Sequence, residues 1–463
     1  MLKPYEEYKE TPALWLYSIP AHWESHKIRE LFIERNEKVS DKDYSPLSVS
    51  KAGVVPQIST VAKTNNGDNR KLVRIGDFVI NSRSDRRGSS GISIYDGSVS
   101  LINIVLKPRA FVNGRYMHYL LKSHYFIEEF YRNGRGIVAD LWTTRYTEMK
   151  SIYLPVPPRE EQDQIVRFLD WKIAKINKLI RAKKKQIALL NEQRKATIDN
   201  AIMYGINSQV SQKESGIIWL GKIPSQWSVM KLKRVCRINA SISSQLKKYS
   251  LEDFLVFLPM ENISSDGKID CSEKRKLKDI KNGFSSFAKN DVVVAKITPC
   301  FENGKGACLD NLETDIGFGT TELIVLRANE KILPRYLYMI TQLRQFRMQG
   351  AEVMTGSAGQ KRVPSDFISN FALGIPSKAE QYEILNYLDN CLAKIDKMYM
   401  ALNDEIKLLN EYRTRLISDV VTGKVDVRGV EIPDYETVPD EVTEDEFDGE
   451  NAMDDEAEEE EVE

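Results

Sequence analysis

The chain has 463 residues, 42% hydrophobic and 29% charged, with a formal net charge of -1. That length predicts two or more domains; its apolar runs fall far short of the ~20 residues that cross a bilayer, and the polar stretch Met1–Glu10 lacks a signal-peptide core, so a soluble cytoplasmic protein is expected and a membrane protein is excluded. The near-neutral charge is a cancellation: 18 of the 67 acidic residues, and none of the lysines and arginines, lie beyond residue 430, so the body before it carries about +17 and suits a polyanionic partner.

The first apolar landmark is Ser18-Ile19-Pro20-Ala21-His22-Trp23, followed by a short basic segment. Phe78-Val79-Ile80 and Ile102-Asn103-Ile104-Val105-Leu106 are β-branched runs and predict strands. Two loops mix guanidinium groups with small residues that permit close approach: Arg83-Ser84-Asp85-Arg86-Arg87-Gly88 and Arg132-Asn133-Gly134-Arg135-Gly136. Arginine forks suit phosphates and guanine edges, and asparagine suits adenine. Arg83, Ser84, Arg86, Arg87, Arg132, Asn133 and Arg135 are therefore candidate DNA contacts. Leu154-Pro155-Val156-Pro157 ends this mixed domain, placed at residues 1–157. Pro157-Pro158 with Glu160-Glu161 marks a helix start and Gly205 its end, which gives a first spacer helix at 158–205.

A second mixed domain is placed at 206–376, with strand signals at 291–297 and 322–326. Its candidate contacts are Lys296, Thr298, Asn303 and Lys305 in one loop and Gln360, Lys361 and Arg362 in another. Pro376-Ser377, Glu380 and Gly423 bound a second spacer helix at 377–424. Residues 425–463 read as an acidic, disordered, solubilising tail; a sharper reading makes it a DNA mimic that competes for the basic surface. The five cysteines, Cys236, Cys271, Cys300, Cys308 and Cys391, are odd in number and lack paired metal-ligand spacing, as expected of reduced packing residues.

The second half repeats the first. Ser18-Ile19-Pro20-Ala21-His22-Trp23 returns as Lys222-Ile223-Pro224-Ser225-Gln226-Trp227, and Arg115-Tyr116 as Arg335-Tyr336. Glu161-Gln162, Ile165 and Leu169-Asp170 return as Glu380-Gln381, Ile384 and Leu388-Asp389. Leu388, Leu392, Ile395, Tyr399, Leu402, Ile406, Leu409, Leu416 and Val420 recur at steps of three and four, broken at Arg413. The first helix carries Leu169, Ile173, Ile176, Ile180, Ile187, Leu190 and Ala201, interrupted by Lys183 and Arg194. Such a seam predicts a coiled coil, antiparallel because parallel packing would crowd two basic domains at one end. About 45 residues make a rod of roughly 65 Å, enough to set two readers one or two DNA turns apart. Unlike domains then predict unlike half-sites around an unread gap.

Several strings resemble the specificity subunits of type I restriction–modification enzymes, across about residues 15–428. They are Trp219-Leu220-Gly221-Lys222-Ile223-Pro224-Ser225-Gln226-Trp227, Lys296-Ile297-Thr298-Pro299-Cys300-Phe301-Glu302-Asn303-Gly304-Lys305, Gly317-Phe318-Gly319-Thr320-Thr321-Glu322 and Gly359-Gln360-Lys361-Arg362-Val363-Pro364. The first half departs from the pattern: Ile80-Asn81-Ser82-Arg83-Ser84 stands where the Ile-Thr-Pro-Cys string belongs, and no Gly-Gln-Lys-Arg precedes its helix. The resemblance implies an α+β fold of two target-recognition domains joined by two long helices in an antiparallel coiled coil. It implies a non-catalytic subunit that binds double-stranded DNA and serves phage defence. Two methyltransferase subunits would dock on the paired helices and methylate adenine N6, and motor–nuclease subunits would do the cutting. S-adenosylmethionine, ATP and Mg would sit on those partners, with no cofactor on this chain.

The residues themselves offer little catalytic chemistry. The Pro157-Pro158 pair is followed by Arg159, unlike an adenine-methylating tetrapeptide, and no phosphate loop ends in Gly-Lys-Ser/Thr. His22 and His26 lack a completing acid or cysteine for zinc. Two rival readings remain, a stand-alone methyltransferase or nuclease and a coiled-coil scaffold without sequence-specific DNA binding.

Overall fold

Residues 159–204 and 378–421 contain no glycine or proline and are rich in leucine, lysine and glutamate, the composition of uninterrupted helix. In a computed structural model, which describes residues 2–57, 67–136, 142–357 and 359–435, each stretch is one helix, Arg159–Tyr204 of 46 residues and Lys378–Val421 of 44. Contacts divide the chain into two units, one joining Met1–Lys184 to Asn403–Glu463, the other Lys185–Leu402. Each unit thus holds one mixed domain and part of both long helices.

Within the first unit Lys183 pairs with Glu405, and Arg413 Nη1 donates to Asn177 Oδ1 at 3.0 Å. Within the second, Arg194 pairs with Asp396. Partner numbers rise on one helix as they fall on the other, so the pairing is antiparallel. The three residues that break the apolar seam are the ones that make these polar bridges. Ile173, Ile176 and Ile180 are buried in the first unit, and Leu388, Leu392 and Ile395 in the second. Ile187, Leu190, Leu402 and Ile406 are only half-buried and Tyr399 is exposed, because mid-helix the seam has one other helix to cover it.

Each mixed domain has its own four-stranded sheet of the same order. In the first unit the order is Ser90–Ile92, Phe78–Asn81, Asn103–Pro108, Phe32–Glu34; in the second it is Gly306–Cys308, Val292–Ala295, Leu323–Ala328, Cys236–Ile238, all antiparallel. Two helices pack beside each sheet, Gly114–Leu121 and His124–Arg132 in one, Pro334–Gln342 and Arg344–Glu352 in the other. Asn113 caps the first of these, its side chain accepting from the Arg115 and Tyr116 amides. A second sheet, with Phe254–Leu258 parallel to Ile316–Gly319, belongs to the second unit.

Each domain is clamped to the helix that follows it. Trp23 and Trp227 are fully buried and donate from Nε1 to Glu161 at 3.0 Å and to Glu380 at 2.9 Å. The repeated arginines close on the repeated aspartates, Arg115 on Asp170 at 2.9 Å and Arg335 on Asp389 at 2.7 Å. The repeated tyrosines reach the far end of the other long helix. Tyr116 donates to the Val421 carbonyl at 3.1 Å and Tyr336 to that of Ile202 at 3.3 Å, satisfying last-turn carbonyls that have no helical partner. Gly205 and Gly423, both at φ +78°, end the helices; a Cβ on Gly423 would run into Pro20.

The segment assigned to a disordered tail begins inside the fold, which corrects that expectation. Val425, Val427, Val430, Ile432 and Tyr435 pack against the first unit's core, and the Asp426 amide donates to the Lys3 carbonyl at 2.8 Å. Alternating valines supply apolar surface that the neighbouring acids obscure in the sequence. Residues 436–463, the rest of that tail, lie outside the described residues.

His118 makes the first unit acid-sensitive. Its Nδ1 accepts from the Ile92 amide at 3.3 Å, and burial, with Lys122 and Arg115 adding repulsion, pushes its pKa down to about 3. An unfolded chain takes up this proton near pH 6.5 and the folded one does not, so stability falls as pH drops from 6.5 toward 3. The loss is on the order of 1 kcal/mol per pH unit. Thermal melts at pH 7, 6 and 5 should show this slope, and His118→Asn, which keeps an acceptor, should flatten it. An unchanged slope would remove His118 as the cause.

Candidate nucleic-acid interface

In the second unit strand Val292–Ala295 runs out into Lys296-Ile297-Thr298. The Val363 amide donates to the Lys296 carbonyl at 2.8 Å, and the Thr298 amide to that of Lys361 at 3.0 Å. Thr355 and Arg362 exchange both main-chain bonds, at 3.1 and 2.8 Å. Three chain segments are thereby laced together, and Lys296, Thr298, Gln360, Lys361 and Arg362 come into one cluster. Gln360 and Lys361 are exposed.

Arg362 is committed inward. Its Nε and Nη2 donate to the Glu322 carboxylate at 2.9 and 2.8 Å, and Nη1 to the Gln360 carbonyl at 3.2 Å. Arg362 holds the Glu322 carboxyl below its ordinary range. Asn303 is exposed on the following loop, whereas the Lys305 ammonium is tied to the Met260 carbonyl at 3.1 Å. Beneath that loop lies a residue the sequence reading passed over. Arg347 is buried against the Phe301 and Phe346 rings and donates to the Phe301 carbonyl at 2.8 Å, and burial pushes its pKa down to about 10. Its sequence position inside a helix gave no hint of this.

The first unit builds the same lacing from different side chains. The Thr144 amide donates to the Ser82 carbonyl at 2.9 Å and the Ser84 amide to that of Trp142 at 3.0 Å, while Arg135 and Thr143 exchange both bonds at 3.0 Å. Ser82 thus stands where Lys296 does, Ser84 where Thr298 does, Trp142 where Lys361 does and Thr143 where Arg362 does. Trp142 and Thr143 were not among the sequence candidates, since the string that marks the place in the second half is missing here.

Of the first-unit candidates, Arg83 and Arg135 meet through Thr143, and Ser84 bonds to the neighbouring Trp142. Arg83 and Arg86 flank Asp85 at 3.4 and 3.7 Å. Arg87, Arg132 and Asn133 gather instead at Glu128 and Glu129: Arg87 pairs with Glu128 over the Tyr131 ring, and Arg132 forks onto buried Glu129 at 2.7 and 2.8 Å. Asn133 Nδ2 donates to that carboxylate at 3.0 Å. Arg135, with 84% of its side chain exposed, meets Glu148 only at 3.9 Å.

This contrast sets an arginine folded back onto a buried carboxylate apart from one left exposed. Arg132→Ala leaves Glu129 with Asn133 alone and should cost about 2 kcal/mol of stability. Arg135→Ala should leave the melting temperature unchanged while reducing the salt dependence of DNA binding by about one unit of slope. Melting curves and salt titrations on both variants read the difference, and a reversal of the two outcomes would refute it.

No group of three or more metal-binding side chains occurs among the described residues. His22 is held by Glu161 at 2.7 Å, and His26 lies between Glu24 and Glu30. No helix among them is long and apolar enough to cross a membrane.

Residues 20–189 and 224–408 each match a family model described as the type I restriction modification DNA specificity domain. The type I restriction enzyme EcoAI specificity subunit of Escherichia coli is 39% identical over 181 residues, 38% of this chain, and the chain spans 30% of that relative's length. The MjaVIII specificity subunit of Methanocaldococcus jannaschii is 26% identical over 289 residues, 61% of this chain and 64% of its own. The fold is shared with a solved structure titled for complex assembly and conformational transition of the type I R-M system. The TM-score is 0.59 at 13% identity, over 88% of this chain and 100% of that one.

Proposed function

This chain belongs to the type I restriction–modification DNA specificity family, and we propose that it reads a bipartite duplex target and brings partner subunits to it. One observation carries this reading. Two units build the same laced loop from the same main-chain bonds, yet fill it with Lys296, Lys361 and Arg362 in one case and Ser82, Trp142 and Thr143 in the other. A shared frame with unlike side chains suits two different half-sites, and the paired helices suit a fixed gap between them.

The chemistry is assigned to partners: two methyltransferase subunits using S-adenosylmethionine, and motor–nuclease subunits using ATP and Mg, all in the cytoplasm. Purified chain with S-adenosylmethionine and DNA should transfer no methyl group until the methyltransferase is added. Selection from random duplexes with that partner present should return a two-part motif. Lys361→Ala should relax bases in one half only. Methyl transfer by the chain alone, or selection without a two-part preference, would overturn the reading.

A further inference from the structure

Arg347 lies one turn past Leu343, the residue that caps its helix, and is only 8% exposed. Its Nη1 donates to the Phe301 carbonyl at 2.8 Å. Among the described residues the buried Nε and Nη2 have no hydrogen-bond partner, and no carboxylate pairs with the guanidinium. A charge buried in that state costs the fold free energy that an apolar side chain of similar length would not.

The first unit fills the same place without that cost. Ile127 lies one turn past its helix cap Ser123 and follows Phe126, as Arg347 follows Phe346, and both phenylalanines are fully buried. A Cβ on Gly88 would lie 3.6 Å from Ile127 Cδ1, and one on Gly304 would lie 4.0 Å from Arg347 Nη2. In each unit, then, this helix position underlies the loop of candidate contacts.

What the arginine adds is a grip on that loop. The Phe301 carbonyl that it holds also accepts from the Gly304 amide at 3.0 Å, and Gln342 Nε2 donates to the Gly304 carbonyl at 3.3 Å. Both carbonyls of the turn are thus bonded to side chains of the two helices. Glu302 and Asn303, between them, are left exposed.

We propose that Arg347 is a positioning residue of the second unit's half-site, fixing the turn at Phe301 and Gly304 so that Asn303 meets the bases. The inference rests on the specificity reading and deepens it. Buried beneath the loop, Arg347 acts through Asn303 and does not touch DNA itself. A side chain that costs stability is kept for the geometry it imposes.

Selection from random duplexes with the methyltransferase partner present, together with melting curves, tests it on the full chain. The variants are Arg347→Met, Asn303→Ala and the two combined. Arg347→Met keeps the length and removes the charge, so it should melt no lower than the wild type. It should relax the same base positions as Asn303→Ala, with preference there falling about ten-fold. Those positions should lie in the half that Lys361→Ala relaxes, and the other half should stay intact. The double variant should be no more relaxed than the worse single, since one residue acts through the other. A lower melting temperature for Arg347→Met, relaxation spread over both halves, additive losses, or no relaxation by Asn303→Ala would each overturn the proposal. A wild type that selects no two-part motif would overturn the specificity reading, and this inference with it.

Discussion

Glu161→Ala should cost the first unit about 3 kcal/mol or more of unfolding free energy, because it strips several donors of one acceptor. The carboxylate is 5% exposed and accepts from the Tyr5 hydroxyl at 2.6 Å, the Trp23 indole at 3.0 Å and His22 at 2.7 Å. Trp23 is fully buried, so its N–H finds no water in exchange. Burial, together with Glu161, drives the Tyr5 hydroxyl far above its ordinary value, and it remains a donor at any working pH. Glu380 occupies the matching place but holds the Trp227 indole alone and is only half-buried, so Glu380→Ala should cost about 1 kcal/mol. Hydrogen exchange on peptides from each unit separates the two. Equal costs would mean that the indole bond, and not the network around it, sets the price.

Arg362→Ala should weaken specific DNA binding on the order of 100-fold while the fold survives, since the main-chain bonds of residue 362 do not need its side chain. The loss would come chiefly from what is uncovered. Arg362 neutralises Glu322 through two bonds, at 2.9 and 2.8 Å. On the proposed reading, a bare carboxylate would, without it, face the phosphates beside Lys296 and Lys361. Glu322→Gln in the Arg362→Ala background should therefore recover about ten-fold of the affinity, although the same change alone does little. Equilibrium titrations of the wild type and the three variants complete the cycle. Additive losses would show instead that Arg362 touches DNA directly and that Glu322 is incidental.

The parts of the fold legible in sequence were those with a period. The apolar steps, the glycine stops and the duplicated Glu-Gln pairs mark two long helices without reference to any distant residue. What those pairs do was not legible. Gln162 accepts from the Asn113 amide at 2.8 Å and Gln381 from that of Leu333 at 2.8 Å, partners about fifty positions away that no local pattern announces. Lys183, Arg194 and Arg413 looked like defects in a seam and are its cross-links. At the candidate interface the second unit could be read from its strings. The first could not, because main-chain lacing tolerates almost any side chain and leaves no signature at Ser82 or Thr143. Charge type alone also failed to separate Arg132, folded back on Glu129, from Arg135, whose side chain is 84% exposed and meets Glu148 at 3.9 Å.

The first unit draws on residues that precede and follow the second in sequence, with Tyr116 bonded to the Val421 carbonyl 305 positions away, whereas the second is contiguous from Lys185 to Leu402. During translation the second unit therefore has all its pieces before the first does, although its codons come later. The nascent first domain must wait, with its Pro20–Trp23 surface unsealed, until the final helix emerges from the ribosome. Ribosome-bound chains in which Leu402 has cleared the exit tunnel while the end of the second long helix is still inside it would be expected to resist protease in the later-encoded half and to yield in the earlier one.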